Sequence, residues 1–192
     1  TALEFLRQRR SRRNVRDELV PEEKIRQLLE AARFAPTAAN SQGMYYLVIQ
    51  DRDLIKKITD CVADWMQEQI DNKSPQKRYF IKVLHVYRER GIDIIGRNAR
   101  QLIFVLARRL NVTGPSNSEQ SLAYAELYAP TLGLGTTIMG FIETCLRADY
   151  TPLRELLQIP TKQVGVGCLL VGYPRYRYHK LVDRQHLKVE FR

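Results

Sequence analysis

Two uninterrupted apolar runs, Leu102-Ile103-Phe104-Val105-Leu106 and Val164-Gly165-Val166-Gly167-Cys168-Leu169-Leu170-Val171, constrain this chain most. Each suits a strand withdrawn from water, and the glycines of the second mark a strand that is approached closely. A third strand is expected at Tyr45-Tyr46-Leu47-Val48-Ile49, from its branched and aromatic content. Between the strands the apolar period becomes helical. Pro21-Glu22-Glu23 opens a helix expected to run to about Phe34, with Ile25, Leu28, Leu29 and Ala32 on one face, and Pro36 stops it. Asp51 or Asp53 caps a second helix whose stripe is Leu54, Ile58, Val62, Met66 and Ile70, with Trp65 beside it. The period weakens from Asn72 to Arg100, which reads as a lid-like excursion. Gly114-Pro115-Ser116-Asn117-Ser118 reads as a turn before a helix starting near Ser118, which Pro130 bends and Gly133-Leu134-Gly135 ends. Thr151-Pro152 starts a short helix. After Gly172-Tyr173-Pro174 an arm, about 175–192, shows no period until Leu187-Lys188-Val189-Glu190-Phe191, which alternates like an edge strand. With 192 residues and no linker or repeat, a single domain over 1–192 is expected.

Lysine and arginine outnumber aspartate and glutamate by 31 to 21, a net charge of +10 that suits nucleic acid, an acidic membrane surface or phosphorylated ligands. Cys61, Cys145 and Cys168 are odd in number and widely spaced, without a Cys-x-x-Cys pair, which argues for small buried apolar side chains and against a metal site. No apolar run approaches the ~20 residues of a membrane span, and the start lacks a signal peptide's apolar segment. A cytoplasmic protein is expected. The chain opens on Thr1 rather than methionine, which leaves room for residues upstream of it in the natural product.

Two polar segments carry the chemistry. Arg9-Arg10-Ser11-Arg12-Arg13 offers guanidinium forks and a hydroxyl suited to a phosphate, and Ala35-Pro36-Thr37-Ala38-Ala39-Asn40-Ser41-Gln42 offers paired donors and acceptors suited to a polar ring or a sugar-alcohol chain. Together they point to a phosphorylated cofactor. A solvated basic face is the blander reading of the first segment. A nucleic-acid reading would use the same arginines, with Tyr45, Tyr46, Tyr176 and Tyr178 for stacking, but no corresponding recognition motif accompanies them.

The order and spacing of these segments resemble the nitroreductase family of flavin mononucleotide (FMN) enzymes. The resemblance continues in Leu132-Gly133-Leu134-Gly135-Thr136 and Val171-Gly172-Tyr173-Pro174, so four ordered motifs span most of the chain. It implies an α+β fold with helices around a mainly antiparallel sheet, in a homodimer whose C-terminal arms are exchanged and whose two flavins sit at the subunit interface. It also implies FMN rather than FAD, and no Gly-x-Gly-x-x-Gly loop follows an early strand. Arg9, Arg10 and Ser11 fall on the family's phosphate and ribityl contacts, and Arg13 falls near the pyrimidine edge of the ring, with Arg12 facing solvent. Pro36, Thr37, Ala38, Asn40 and Gln42 match the stretch presented by the partner subunit. Thr137, Ile138, Met139 and Gly140 match the segment whose backbone amides approach flavin N5 and O4. Arg184 matches a phosphate-binding tail residue, with Lys180 a neighbour.

Gly43-Met44 stands where relatives carry Pro-Trp, and Thr137-Ile138 where they carry Cys-Trp, so a pocket of different shape is expected. Ala123 to Pro130 and Lys188-Val189-Glu190-Phe191 resemble the branch in which a ferredoxin domain precedes the flavin domain, so the electron donor is either NAD(P)H or a separate electron-transfer protein. The activity implied is a ping-pong flavin cycle that reduces a small electron-poor acceptor such as a nitroaromatic or quinone. Negative charge develops near N1 and O2 of the reduced flavin, where Arg13 is suited to stabilise it. No dedicated acid or base stands out, and Tyr79, His85 and Tyr87 read as structural. The alternatives are a flavin-binding protein without turnover and a basic nucleic-acid-binding module.

Overall fold

The computed structural model describes residues 1–181 and 183–192. Four strands, β1 (Tyr45–Ile49), β2 (Leu102–Arg108), β3 (Gly135–Ile138) and β4 (Gln163–Gly172), form one sheet in the order β1-β2-β4-β3, with every pairing antiparallel. The two uninterrupted apolar runs are the two central strands. Their side chains alternate between two cores, as a strand's period of two requires. Leu102, Phe104, Leu106, Cys168 and Leu170 face helices α3 (Arg52–Asp71), α4 (Lys77–Leu84), α6 (Gly140–Arg147) and α7 (Thr151–Leu156). Ile103, Val105, Val166, Leu169 and Val171 face helices α2 (Glu22–Arg33) and α5 (Gly114–Tyr128). Opposite Val105 and Leu106, β4 carries Val166 as an extra unpaired residue. Just beyond it, Gly165 lies so close to Leu146 of α6 that a Cβ there would overlap the leucine side chain. The glycine therefore sets how closely α6 packs on the sheet.

The Asp51 carboxylate caps α3, accepting the amides of Asp53 at 2.8 Å and Leu54 at 3.0 Å. The buried face of α3 is Ile55, Ile58, Val62, Trp65 and Met66, while Leu54 and Ile70 lie at its half-exposed margin. Residues 72–100 are not a peripheral excursion. They contain α4 and a π-helical turn, His85–Glu89, and they bury Phe80, Val83, Leu84 and Ile95 in the α3 core, with Phe80 edge-on to Trp65 at 5.5 Å. Those apolar positions are interspersed with Lys77, Arg78, Lys82 and Arg88, which dilutes their helical period. Helix α5 begins at Gly114, four residues earlier than expected, because Pro115 belongs to its first turn, where a missing amide costs nothing. At its other end Pro130 does not bend the α-helix. The helix stops at Tyr128 and tightens into a 3-10 turn, Ala129–Leu132, closed by Gly133 at φ 72°.

Gln101, which no local sequence pattern marks, ties the N-terminal segment to the sheet. Gln101 is fully buried; its Oε1 accepts the Val20 amide at 2.6 Å and its Nε2 donates to the Val20 carbonyl at 2.9 Å. Gln101→Leu leaves both Val20 groups buried without partners, at about 1–3 kcal/mol for each group stranded. Urea denaturation of the two proteins checks this, and equal midpoints would refute it.

Beyond Pro174 the arm has no helix or strand among its described residues. Leu187, Val189 and Phe191 alternate as expected but are 87 %, 61 % and 91 % exposed. The expected edge strand is therefore absent within one chain, where no neighbouring strand pairs with it. No helix among the described residues is long and apolar enough to cross a membrane. Cys145 and Cys168 are buried, and burial raises the Cys61 thiol to about 11, so all three are small packing residues.

Candidate functional site

Helix α1 (Ala2–Gln8), closed by a capping box between Thr1 and Glu4, delivers the basic segment to the open edge of β3. There Ser11 bridges Thr136 in parallel and the Arg12 amide donates to the Thr136 carbonyl at 2.7 Å. Farther along, Val15 bridges Pro174, the Arg16 amide donates to Tyr173 at 2.8 Å, and the Arg175 amide donates to Asn14 at 3.0 Å. The segment is extended, so successive side chains point to opposite sides. Arg13 enters one cavity and Arg10 and Arg12 enter another.

The first cavity, about 390 Å³, is formed where β3 runs into α6: Arg13 meets Thr137, Ile138, Met139 and Gly140 there. Its apolar wall comes from Tyr79 and Phe80 of α4 and from Phe141, whose ring centroid is 5.7 Å from that of Tyr79. Tyr79 is thus part of the cavity rather than a purely structural residue. Helix α6 starts at this wall without a side-chain cap, which leaves the amides of its first turn without a side-chain acceptor. A Cβ on Gly140 would meet nothing within 4 Å, so the backbone here is open to a ligand.

Arg97 also lines the cavity, and nothing in the sequence singled it out. It sits on a turn held by the Asp93 carboxylate, which accepts the amides of Gly96 at 2.6 Å and Asn98 at 2.8 Å. Burial first, then the neighbouring Arg13, lowers the pKa of Arg97 from the usual guanidinium range.

The second cavity, about 380 Å³, is lined by Arg10, Arg12, Arg16, Arg175 and Arg177. The Arg10 and Arg12 guanidiniums stack on the Tyr178 ring at 3.9 and 4.3 Å, and Arg12 donates to the Tyr176 carbonyl at 3.1 Å. Arg12 is therefore not the solvent-facing member of the segment, because the root of the arm covers it. Arg9 reaches Glu126 of α5 at 3.5 Å, and burial holds the pKa of that carboxyl above its usual range against the pull of Arg9. Arg184 lies on the exposed arm, and Lys180 accepts a long 3.5 Å bond from Arg10 through its carbonyl.

The second polar segment lies elsewhere. Pro36 to Gln42 contains a 3-10 turn, Ala38–Asn40, with Ala39, Asn40 and Gln42 at φ 51°, 50° and 46°. Thr37 Oγ1 accepts the Gln42 amide at 3.0 Å, and Asn117 of α5 accepts the Ala38 amide at 3.1 Å. Thr37 and Gln42 line a small cavity with Arg33, Met44, Tyr46 and Ser121, and none of residues 36–42 lines the cavity of Arg13 or that of Arg10 and Arg12. Within one chain, the two polar segments are not brought together.

Comparison with known proteins places these features in context. The model of the Nitroreductase family matches residues 6–173. The chain is 26 % identical over 178 residues to "FMN reductase [NAD(P)H]" of Bacillus subtilis (strain 168), covering 93 % of this chain and 68 % of that protein. It is 26 % identical over 179 residues to mouse iodotyrosine deiodinase 1, covering 89 % of this chain and 61 % of that protein. The chain thus spans about two thirds of the length of these relatives. A nitroreductase crystal structure with bound FMN, from Desulfitobacterium hafniense DCB-2, superposes with a TM-score of 0.74 at 17 % identity, covering 98 % of this chain and 97 % of that one. That likeness establishes the α+β fold, with its antiparallel sheet flanked by helices.

Proposed function

Because the chain belongs to the nitroreductase family, we propose that it is an FMN-dependent oxidoreductase, a single domain over residues 1–192 that works as a homodimer with two shared flavin sites. One observation carries this reading: Arg13 and the uncapped start of α6 converge on one cavity with an aromatic wall. That donor set fits a flavin. A guanidinium suits the electron-rich pyrimidine edge, amides suit N5 and O4, and the volume lies within the roughly 300–1,000 Å³ of ordinary ligand pockets. When bound, FMN supplies reversible hydride chemistry.

The residues of the chain bind, orient and shield. Arg13 stabilises negative charge at the pyrimidine edge, and the amides between Thr137 and Gly140 that the sheet leaves free fix the opposite edge, the Met139 amide being taken by the Cys168 carbonyl at 2.9 Å. Arg9, Arg10, Ser11 and Arg184 hold the phosphate and the ribityl chain, with Lys180 beside them. Pro36, Thr37, Ala38, Asn40 and Gln42 act on the flavin of the partner subunit, which accounts for their separation from the Arg9–Arg13 segment of their own chain. The exposed arm, with its alternating Leu187, Val189 and Phe191, supplies the exchanged segment of the dimer. Electrons come from NAD(P)H, or from a separate electron-transfer protein as in the ferredoxin-fused branch. They pass to a small electron-poor acceptor, a nitroaromatic or quinone, in a ping-pong cycle. The resemblance to iodotyrosine deiodinase adds an iodinated phenol to the acceptors worth testing.

The decisive experiment is the absorption spectrum of the released cofactor, followed by anaerobic reduction with NADH, NADPH and reduced ferredoxin in separate trials. A bound flavin reduced by at least one donor is expected; reduction by none refutes the oxidoreductase. Arg10→Ala and Arg184→Ala should each weaken FMN binding by about 1.5–3 kcal/mol through a lost charge-assisted phosphate contact. Riboflavin, which has no phosphate, should bind both variants as it binds the parent. Titrations of apoprotein with the two ligands test this, and equal losses for both would instead indicate a general disturbance of the fold.

A further inference from the structure

The flavin cavity holds one more guanidinium than the flavin requires. Arg13 accounts for the pyrimidine edge, and Arg97 stands beside it, half-buried, with no hydrogen bond or carboxylate partner for its side chain among the described residues. Its placement is built rather than incidental. Arg97 and Asn98 take up left-handed backbone at φ 58° and 48°, which Asn98 adopts readily but which is costly for Arg97. Three features hold that strained turn in place: the Asp93 carboxylate binds the amides of Gly96 and Asn98, Ile95 is 1 % exposed, and Gly96 packs against Thr59 of α3 so tightly that a Cβ would overlap Thr59 Oγ1. An anchored turn presents a guanidinium without a direct ion pair, with Asp93 of the same turn as its nearest counter-charge, to a cavity whose remaining wall is the aromatic and apolar surface of Tyr79, Phe141 and Ile94. Arg13 repels this guanidinium across the open cavity, and Asp93 and Tyr79 offset only part of that repulsion, so an anion between the two guanidiniums is favourable.

We infer that Arg97 is the specificity-determining residue of this site and receives the carboxylate of an aromatic acid, so that the preferred acceptor is a planar ring bearing one carboxylate. This rests on the flavin reading of the cavity. The apolar wall takes the ring, and the guanidinium fork matches a carboxylate in two-pronged geometry.

The test separates recognition from turnover. FMN-loaded protein is titrated by calorimetry with benzoate and with neutral benzamide, and steady-state reduction is measured with 4-nitrobenzoate and 4-nitrobenzamide. The parent should prefer benzoate. Arg97→Ala should weaken benzoate binding and raise KM for 4-nitrobenzoate by about tenfold or more relative to the two amides, as expected for a lost charge-assisted contact to the carboxylate. Arg97→Lys should recover part of the loss. Equal effects on acid and amide, weakened FMN binding, or an effect confined to the KM of the electron donor would overturn the assignment. Benzoate binding that depends on Arg97 in a protein without turnover would leave the assignment standing and refute only the oxidoreductase.

Discussion

Gly140→Trp leaves the protein folded and removes tight FMN binding. A Cβ at Gly140 meets no atom within 4 Å, so the indole enters the cavity beside Arg13 rather than the core. Gly140 is the first residue of α6, and exchanging glycine for a residue with a side chain does not penalise a helix. The indole occupies the space assigned to the flavin ring and screens the amides that would meet its N5 edge. The FMN dissociation constant should rise at least about 100-fold, equivalent to about 2.7 kcal/mol. Absorbance titration of apoprotein measures the affinity, and thermal melting of the two apoproteins measures the fold. An unchanged affinity would move the flavin out of this cavity, while a collapsed melting temperature would show that α6 does not tolerate the side chain.

Phe104→Ala is expected to cost about 3–5 kcal/mol, out of a total stability that for ordinary domains is only about 5–15 kcal/mol. Phe104 is fully buried in the middle of β2, opposite Leu47 on one side and Cys168 on the other, and it faces the core built by α3 and α6. The packed helices and the two neighbouring strands cannot all close on the space vacated by a phenyl ring. Urea denaturation of both apoproteins is the relevant measurement, because bound FMN would add its own stabilisation. A loss under about 1 kcal/mol would mean that the core collapses around the vacated space.

Much of the scaffold was legible along the chain. Strands β1, β2 and β4 and helices α2, α3 and α7 lie where local period and capping residues place them, because a continuous apolar run, a Pro-Glu-Glu start or an Asp cap acts over a few residues. The helical period of residues 77–89 is masked because Phe80, Val83 and Leu84 are interspersed with the basic residues Lys77, Arg78, Lys82 and Arg88. The start of α5 was misread because Gly-Pro is a turn signal that also suits a first helical turn.

The sequence alone identified the two polar segments, the β3–α6 junction and the order of the motifs, since each is a short string of residues whose chemistry travels with it. Which guanidiniums serve the cavity was decided only by tertiary structure. The pairing of Ser11 with Thr136 turns Arg13 toward α6 and Arg12 toward Tyr178, and a slip of one residue would exchange them. Arg97 is the clearest case. A lone arginine after a glycine carries no local signal, and its role depends on the Asp93 carboxylate, on Thr59 of a helix nearly forty residues earlier, and on Arg13 from the far end of the chain. Contacts between residues so distant in sequence exist only once the sheet and its helices have closed around them, so no reading of the neighbouring residues can supply them.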